Sequence, residues 1–200
     1  MDTAVRLARP EDAPDLLRIY APFVTDTCVS FEYEAPTAEE FAKRIESVGN
    51  SFPWLVCEAD GKAAGYVYAS RFAQRAAYRW DAEMSIYVSP DFHRRGLGSV
   101  LYGCEEALLA AQGYRKLYAL ITVPNPQSIG LHEHMGYART AVYRDAGYKF
   151  GAWRDVAVLE KQILPPCSEP AAPIPVGRLD PGFISGEIRK AETLIRERNG

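Results

Sequence analysis

Two hundred residues, 48% of them hydrophobic, are enough to bury one good-sized core. A net charge of −3 and a pI near 5.7 argue against a general nucleic-acid binder. Four scattered cysteines (Cys28, Cys57, Cys104, Cys167) without a C-x-x-C pair, and only three histidines, predict reduced thiols in a cytoplasm and no metal site.

The opening MDTAVRLARPED has no apolar h-region, so no secretory signal is predicted. VRLA (5–8) reads as a short strand. EDAPDLLRIYAPF follows as a helix, with Asp12 as its cap and Pro14 in its first turn. Thr37 and Glu40 in TAEEFAKRI form a capping box for a second helix. WLVCEA and AAGYVYASRF flank Asp60-Gly61, a hairpin signal. AEMSIYVS alternates as the next strand. A helix over 98–112 closes at Gly113, and KLYALITV is a buried strand far too short to cross a bilayer, so no membrane partner is predicted. PQSIGLHEHM is a helix that Gly136 ends, and YARTAVYRDAGY and WRDVAVLEKQI are closing strands. Early hairpin strands followed by β-α-β-α-β describe a mixed α/β sheet.

The chain divides near residue 164. Six prolines between 165 and 181 read as a stiff extended linker that cannot form a packed core. Over 182–200 a helical period resumes. Ile184, Ile188, Ala191 and Ile195 form a stripe, and Glu192–Arg196 is an i,i+4 pair. So short a helix gains little stability alone and needs a surface to dock on. The proline cluster separates it from every motif below, so a chain ending at Leu164 is expected to fold and work normally.

In HRRGLGSVLY, glycines sit between a strand and a helix. They let backbone N–H groups curl around an anion at the helix's positive end, and Arg94 and Arg95 add charged donors. No Lys-Ser/Thr follows, which excludes a Walker A loop, and a third glycine is missing for a dinucleotide fingerprint. Taken alone, the stretch is either an anion cradle or a helix start beside a basic surface turn.

Strand, R/Q-x-x-G-x-G, helix is the acetyl-CoA signature of the GNAT N-acetyltransferases, and residues 3 to about 163 resemble that family. VSFEYEAPTAEEF, AAYRWDAEMSIYVSP, PNPQSIGLHEHMGY and AGYKFGAWRDVAVLEKQI, in this order, resemble its phosphinothricin and methionine sulfoximine branch. The resemblance implies an acyl-CoA N-acyltransferase fold: a mixed, mostly antiparallel sheet flanked by helices, with a splayed central strand. It implies acetyl-CoA as cosubstrate. The pantetheine arm would lie along the backbone of Ile86, Tyr87 and Val88, and the pyrophosphate would lie on His93, Arg94, Arg95, Gly96, Leu97, Gly98 and Ser99. Asn125 and Ser128 would close the arm from the next helix. His93 stands where the family usually has Gln or Arg, and Arg94 and Arg95 compensate.

The same resemblance makes Glu83 the base that takes a proton from the amine, because acetyl transfer needs the free amine. Seven residues past Asn125, His132 stands where many relatives have a tyrosine acid and where this branch has a histidine, an acid or a helper of the base. His134 falls off that face and reads as surface. Arg75 and Tyr78 fall at the branch's substrate contacts, Phe31 walls the pocket, and Ala73 stands where a Lys or Arg is frequent. The implied reaction is N-acetylation, by direct attack, of a small amino acid analogue of the methionine sulfoximine, methionine sulfone or phosphinothricin type. The alternatives are another amine (a peptide N-terminus or a polyamine) or a non-catalytic acyl-CoA-binding scaffold. A homodimer is expected by resemblance alone.

Overall fold

The computed structural model describes residues 2–199. Seven strands form one sheet: β1 (Thr3–Leu7), β2 (Trp54–Ala59), β3 (Lys62–Arg71), β4 (Asp81–Val88), β5 (Lys116–Val123), β6 (Ala138–Lys149) and β7 (Ala152–Gln162). Their spatial order is β1-β2-β3-β4-β5-β7-β6, and every neighbouring pair is antiparallel except β4–β5. Local chemistry sets the joints. Asp60 (φ 49°) and Gly61 (φ 75°) both take the left-handed conformation that a tight hairpin turn demands.

Five helices cover the sheet: α1 (Ala13–Thr25), α2 (Ala38–Gly49), α3 (Leu97–Gln112), α4 (Pro126–His134) and α5 (Pro181–Asn199). The Thr37/Glu40 capping box starts α2: Thr37 Oγ1 accepts the Glu40 N–H and Glu40 Oε2 accepts the Thr37 N–H. At α1 the helix begins one residue after Asp12. That carboxylate accepts the Arg9 N–H and pairs with Arg6 instead of capping the first turn. On one face α1 and α2 bury Leu16, Ile19, Tyr20 and Phe41 against Trp54 and Tyr66; on the other, α3 packs on Val67, Met84 and Leu117.

The tail belongs to this second core. Val176, Leu179, Ala191 and Ile195 are all buried in it, and α5 lies against α3 and β1. The proline-rich stretch is extended, as its composition predicts, yet it is pinned: Ile174 N–H donates to Gln112 O, Val176 N–H to Ser51 O, and Trp80 Nε1 to Ala171 O. Val176 and Leu179, at the start and just past the end of a 3-10 turn over Val176–Arg178, join the core in spite of the prolines around them. The Glu192–Arg196 ion pair gives way to a tertiary bond, because Glu192 Oε1 reaches across to accept the Val5 N–H.

Candidate active site

The parallel pairing of β4 with β5 stops early. Asp81, Ala82 and Glu83 pair with Lys116, Leu117 and Tyr118; beyond them the strands part, while β4 stays paired to β3 as far as Val88. A cleft opens there, lined by Met84 to Tyr87, by Ala119 to Thr122, and by Asn125, Ser128 and His132.

Strand alternation says which backbone groups face this cleft. Trp80 O turns toward β5, accepting the Arg115 N–H, and Ser89 N–H turns toward β3, donating to Ala64 O. Between them, even-numbered residues present N–H and C=O to the open edge. Met84, Ile86 and Val88 therefore offer an unpaired strand edge. Val88 O is already met by His93 Nε2 at 2.9 Å. The Tyr87 backbone points to β3, and its ring sits in an aromatic cluster with Tyr20, Phe23 and Tyr66.

The glycine loop closes the wide end of the cleft. Arg94 (φ 60°) and Gly96 (φ 74°) are both left-handed, which curls the backbone ahead of α3, and Gly96 is its N-cap. Leu97, Gly98 and Ser99 are the first three helical residues, whose N–H groups have no partner within a helix. A Cβ on Gly98 would stand 3.6 Å from Ile86 Cδ1 and 3.5 Å from Leu131, so the helix start lies directly against the open strand. Arg95 stacks over the Phe92 ring. On the far wall Asn125 caps α4 by accepting the Ser128 N–H on Oδ1, which leaves its Nδ2 donors for another partner.

Glu83 sits at the narrow end, where the strands part. It is largely desolvated, and burial pushes its carboxyl above the usual carboxylate range with no opposing charge to offset it. Its neighbour on that face, Ser85, lies across from Tyr68 of β3. His132 is buried on the wall of the same cleft, and both its nitrogens are engaged: Nδ1 lies 2.7 Å from Ser128 O and Nε2 lies 2.7 Å from the Tyr102 hydroxyl. A carbonyl only accepts, so Nδ1 carries the proton and Nε2 accepts from Tyr102. Burial also lowers the imidazole's pKa, which favours the neutral ring. His134 is exposed.

The residues expected to meet the amine are spread out. Tyr78 packs edge-on to Phe72, which stacks on Tyr118, the β5 partner of Glu83, so Tyr78 stands near the narrow end. Arg75 lies in a separate cleft with Arg71, Arg79 and the proline-rich segment. Phe31 packs on Gly147 of β6, where any Cβ would collide with its ring.

Three features escaped the sequence reading. Tyr102 holds the His132 tautomer but looks like any core aromatic of a helix. Lys149 is buried and donates 2.6 Å bonds to Val24 O and Ser30 O, stapling the loop after α1 to β6. Arg198 and Asn199, about a hundred residues from the glycine loop, touch it.

The matching family model is the acetyltransferase (GNAT) domain, over residues 5–158. The chain is 36% identical to the phosphinothricin N-acetyltransferase of Streptomyces viridochromogenes over 171 residues, which is 85% of this chain and 93% of that protein. It is 30% identical to the L-methionine sulfoximine/L-methionine sulfone acetyltransferase of Pseudomonas aeruginosa, over 85% of this chain and all of that one. In three dimensions it is similar to a GNAT superfamily phosphinothricin acetyltransferase from Sinorhizobium meliloti in complex with acetyl-CoA, with a TM-score of 0.81 and 30% identity, over 87% of this chain and 96% of that one. On the strength of the matched domain and these relatives, the chain belongs to the GNAT acetyltransferase family.

Proposed function

We propose that this protein transfers the acetyl group of acetyl-CoA to the amino group of a small amino acid analogue of the methionine sulfoximine, methionine sulfone or phosphinothricin type. One observation carries the reading: β4–β5 pairing ends at Glu83–Tyr118, which leaves an unpaired strand edge running from a desolvated carboxylate to a glycine-rich helix start. That edge suits an amide-bearing arm that pairs as a missing strand. Met84, Ile86 and the Val88 N–H would hold the arm, with Asn125 Nδ2 opposite. Arg94, Arg95 and the N–H groups of Leu97, Gly98 and Ser99 would hold the phosphates. Bound acetyl-CoA supplies an activated acetyl thioester.

The chain's own chemistry is proton handling. Glu83 removes a proton from the substrate ammonium, and its raised affinity for protons makes it a stronger base than an exposed glutamate. His132 shapes the cleft wall through Tyr102 and Ser128 and has no proton to spare at Nε2. Direct attack by the amine fits the cysteines: burial pushes the Cys57 and Cys104 thiols up to about 12, far from the thiolate an acyl-enzyme needs.

The proposed setting is cytoplasmic, and the proposed assembly a homodimer. The outer edge strand β6 is exposed along almost its whole length, and Tyr143, Tyr148, Phe150 and Trp153 stand out from the β6–β7 hairpin. Such an edge needs a cover.

The test is thiol release from acetyl-CoA across a panel of amines. Ala73 and Arg75 both line the separate cleft, so neither position sets a cation against the splayed strands, and methionine sulfoximine and sulfone should show a kcat/KM roughly ten- to a hundredfold above that of phosphinothricin, the worth of one lost charged hydrogen bond. Turnover confined to peptide N-termini or polyamines, or none at all, would overturn the reading.

A further inference from the structure

We infer that Arg198, in the last turn of α5, is a specificity-determining ligand for the cofactor's phosphates, a third guanidinium brought to the glycine loop from outside the matched domain. The inference rests on the acetyl-CoA reading above.

Arg198 Nη1 donates to Ser99 Oγ at 2.7 Å and to Gly96 O at 3.3 Å, and Asn199 Nδ2 donates to Arg95 O at 3.0 Å. The fit is close: a Cβ on Gly96 would stand 2.8 Å from Arg198 Cδ, so Gly96 serves both the left-handed turn and the passage of this side chain. The placement is fixed in advance by Ala191 and Ile195, buried two turns and one turn earlier, and by the Glu192–Val5 bond.

Electrostatics makes the arrangement informative. The start of a helix is its positive pole, where a cation is unfavourable. Yet the Arg198 guanidinium is held there, and among the described residues no carboxylate forms an ion pair with it. A guanidinium has five N–H donors. Both protein bonds of Arg198 use Nη1, so Nε and Nη2 keep theirs. An oxyanion with several acceptors would meet these exposed donors and the positive pole of the helix together. The loop's proposed ligand carries such groups, the pyrophosphate and the 3′-phosphate.

Arg198→Gln keeps the stem against Gly96 and removes the charge; Arg198→Lys keeps the charge and loses the fork. KM and kcat are measured for acetyl-CoA and 3′-dephospho-acetyl-CoA at saturating amine, and CoA affinity is measured by calorimetry. Arg198→Gln should raise the KM for acetyl-CoA about tenfold with kcat unchanged, as loss of a charged hydrogen bond does. Lys should restore part of the loss, and the difference should shrink at high salt. An effect that vanishes with the dephospho cofactor assigns Arg198 to the 3′-phosphate; one that persists assigns it to the pyrophosphate. An unchanged KM in a glutamine variant that melts like the parent overturns the inference, and so does a lowered KM, which would make Arg198 an obstruction. A wild-type protein that does not bind CoA overturns both this inference and the cofactor reading, whereas unaltered CoA binding in the variant overturns this one alone.

Discussion

The burial of Glu83 bears both on stability and on its proposed role as base. Its carboxyl is desolvated, so the folded protein holds the proton more tightly than the unfolded chain does. For a raised carboxyl, the stabilising contribution is full below the unfolded pKa and is lost as pH rises through the folded one. At neutral pH the charged form is therefore a burden on stability and an asset to catalysis. Glu83→Gln should lower kcat by about 10²–10⁴-fold, remove the acid limb of the pH–rate profile, and raise the melting temperature slightly at pH 7. That limb, in the wild type, should lie above the ordinary carboxylate range. A glutamine variant with wild-type kcat and an unaltered profile would end the base assignment. The family resemblance singled out Glu83 in the sequence, whereas the desolvation that bears on its proposed role comes from packing. The His132 tautomer was not legible there, since its partners Tyr102 and Ser128 lie thirty and four residues away and only packing brings the first of them in.

At the scale of elements, the two decisive features are a parting of strands and a staple. Alternation and turn chemistry predicted the strands and most helix boundaries, because those signals are local. The parting of β4 from β5 is a matter of pairing, and no single residue announces it. The staple is Lys149, whose ammonium ties Val24 O and Ser30 O to β6 and whose pKa burial lowers. The tied loop carries Phe31 and Glu32, and Glu32 is bonded in turn by Tyr20 and Arg44. Lys149→Met leaves two carbonyls without a donor and should cost about 1–3 kcal/mol in urea unfolding. It should also raise the amine KM more than the acetyl-CoA KM, because Val29 of the loosened segment lines the cleft and Phe31 is a proposed wall of the amine pocket. Equal shifts in both constants would place the loop elsewhere in the cycle. The β6–β7 hairpin supplies a second test. Trp153, 61% exposed, lies on the proposed dimer face. Trp153→Glu should yield monomers in sedimentation, and a parent that is already monomeric would remove the dimer from the proposal.

For the whole molecule, the question is where the protein ends. Composition drew the boundary at residue 164, because prolines mark linkers, and the family match stops nearby at 158. Proline content reports on local stiffness and says nothing about where a stiff segment is pinned. The segment here runs along Gln112 and Ser51 and delivers α5 to the outer face of α3 and β1. The expectation that a chain ending at Leu164 behaves normally is therefore reversed. Truncation would strip Val176, Leu179 and Ile195 from the core, side chains whose burial is worth about 1.5–3 kcal/mol each. It would also leave the Val5 N–H without its acceptor. Against a typical total of about 5–15 kcal/mol, that loss threatens the fold itself. The truncated chain should melt well below the parent, or fail to fold, and any folded fraction should bind acetyl-CoA more weakly because Arg198 is gone with the helix. Ile195→Asp in the full chain separates the two effects. A charge buried beneath α5 should undock the helix without removing it, and should lower both the melting temperature and the acetyl-CoA affinity. If both proteins melt with the parent and keep its cofactor KM, α5 contributes neither stability nor binding, and the domain closes at β7.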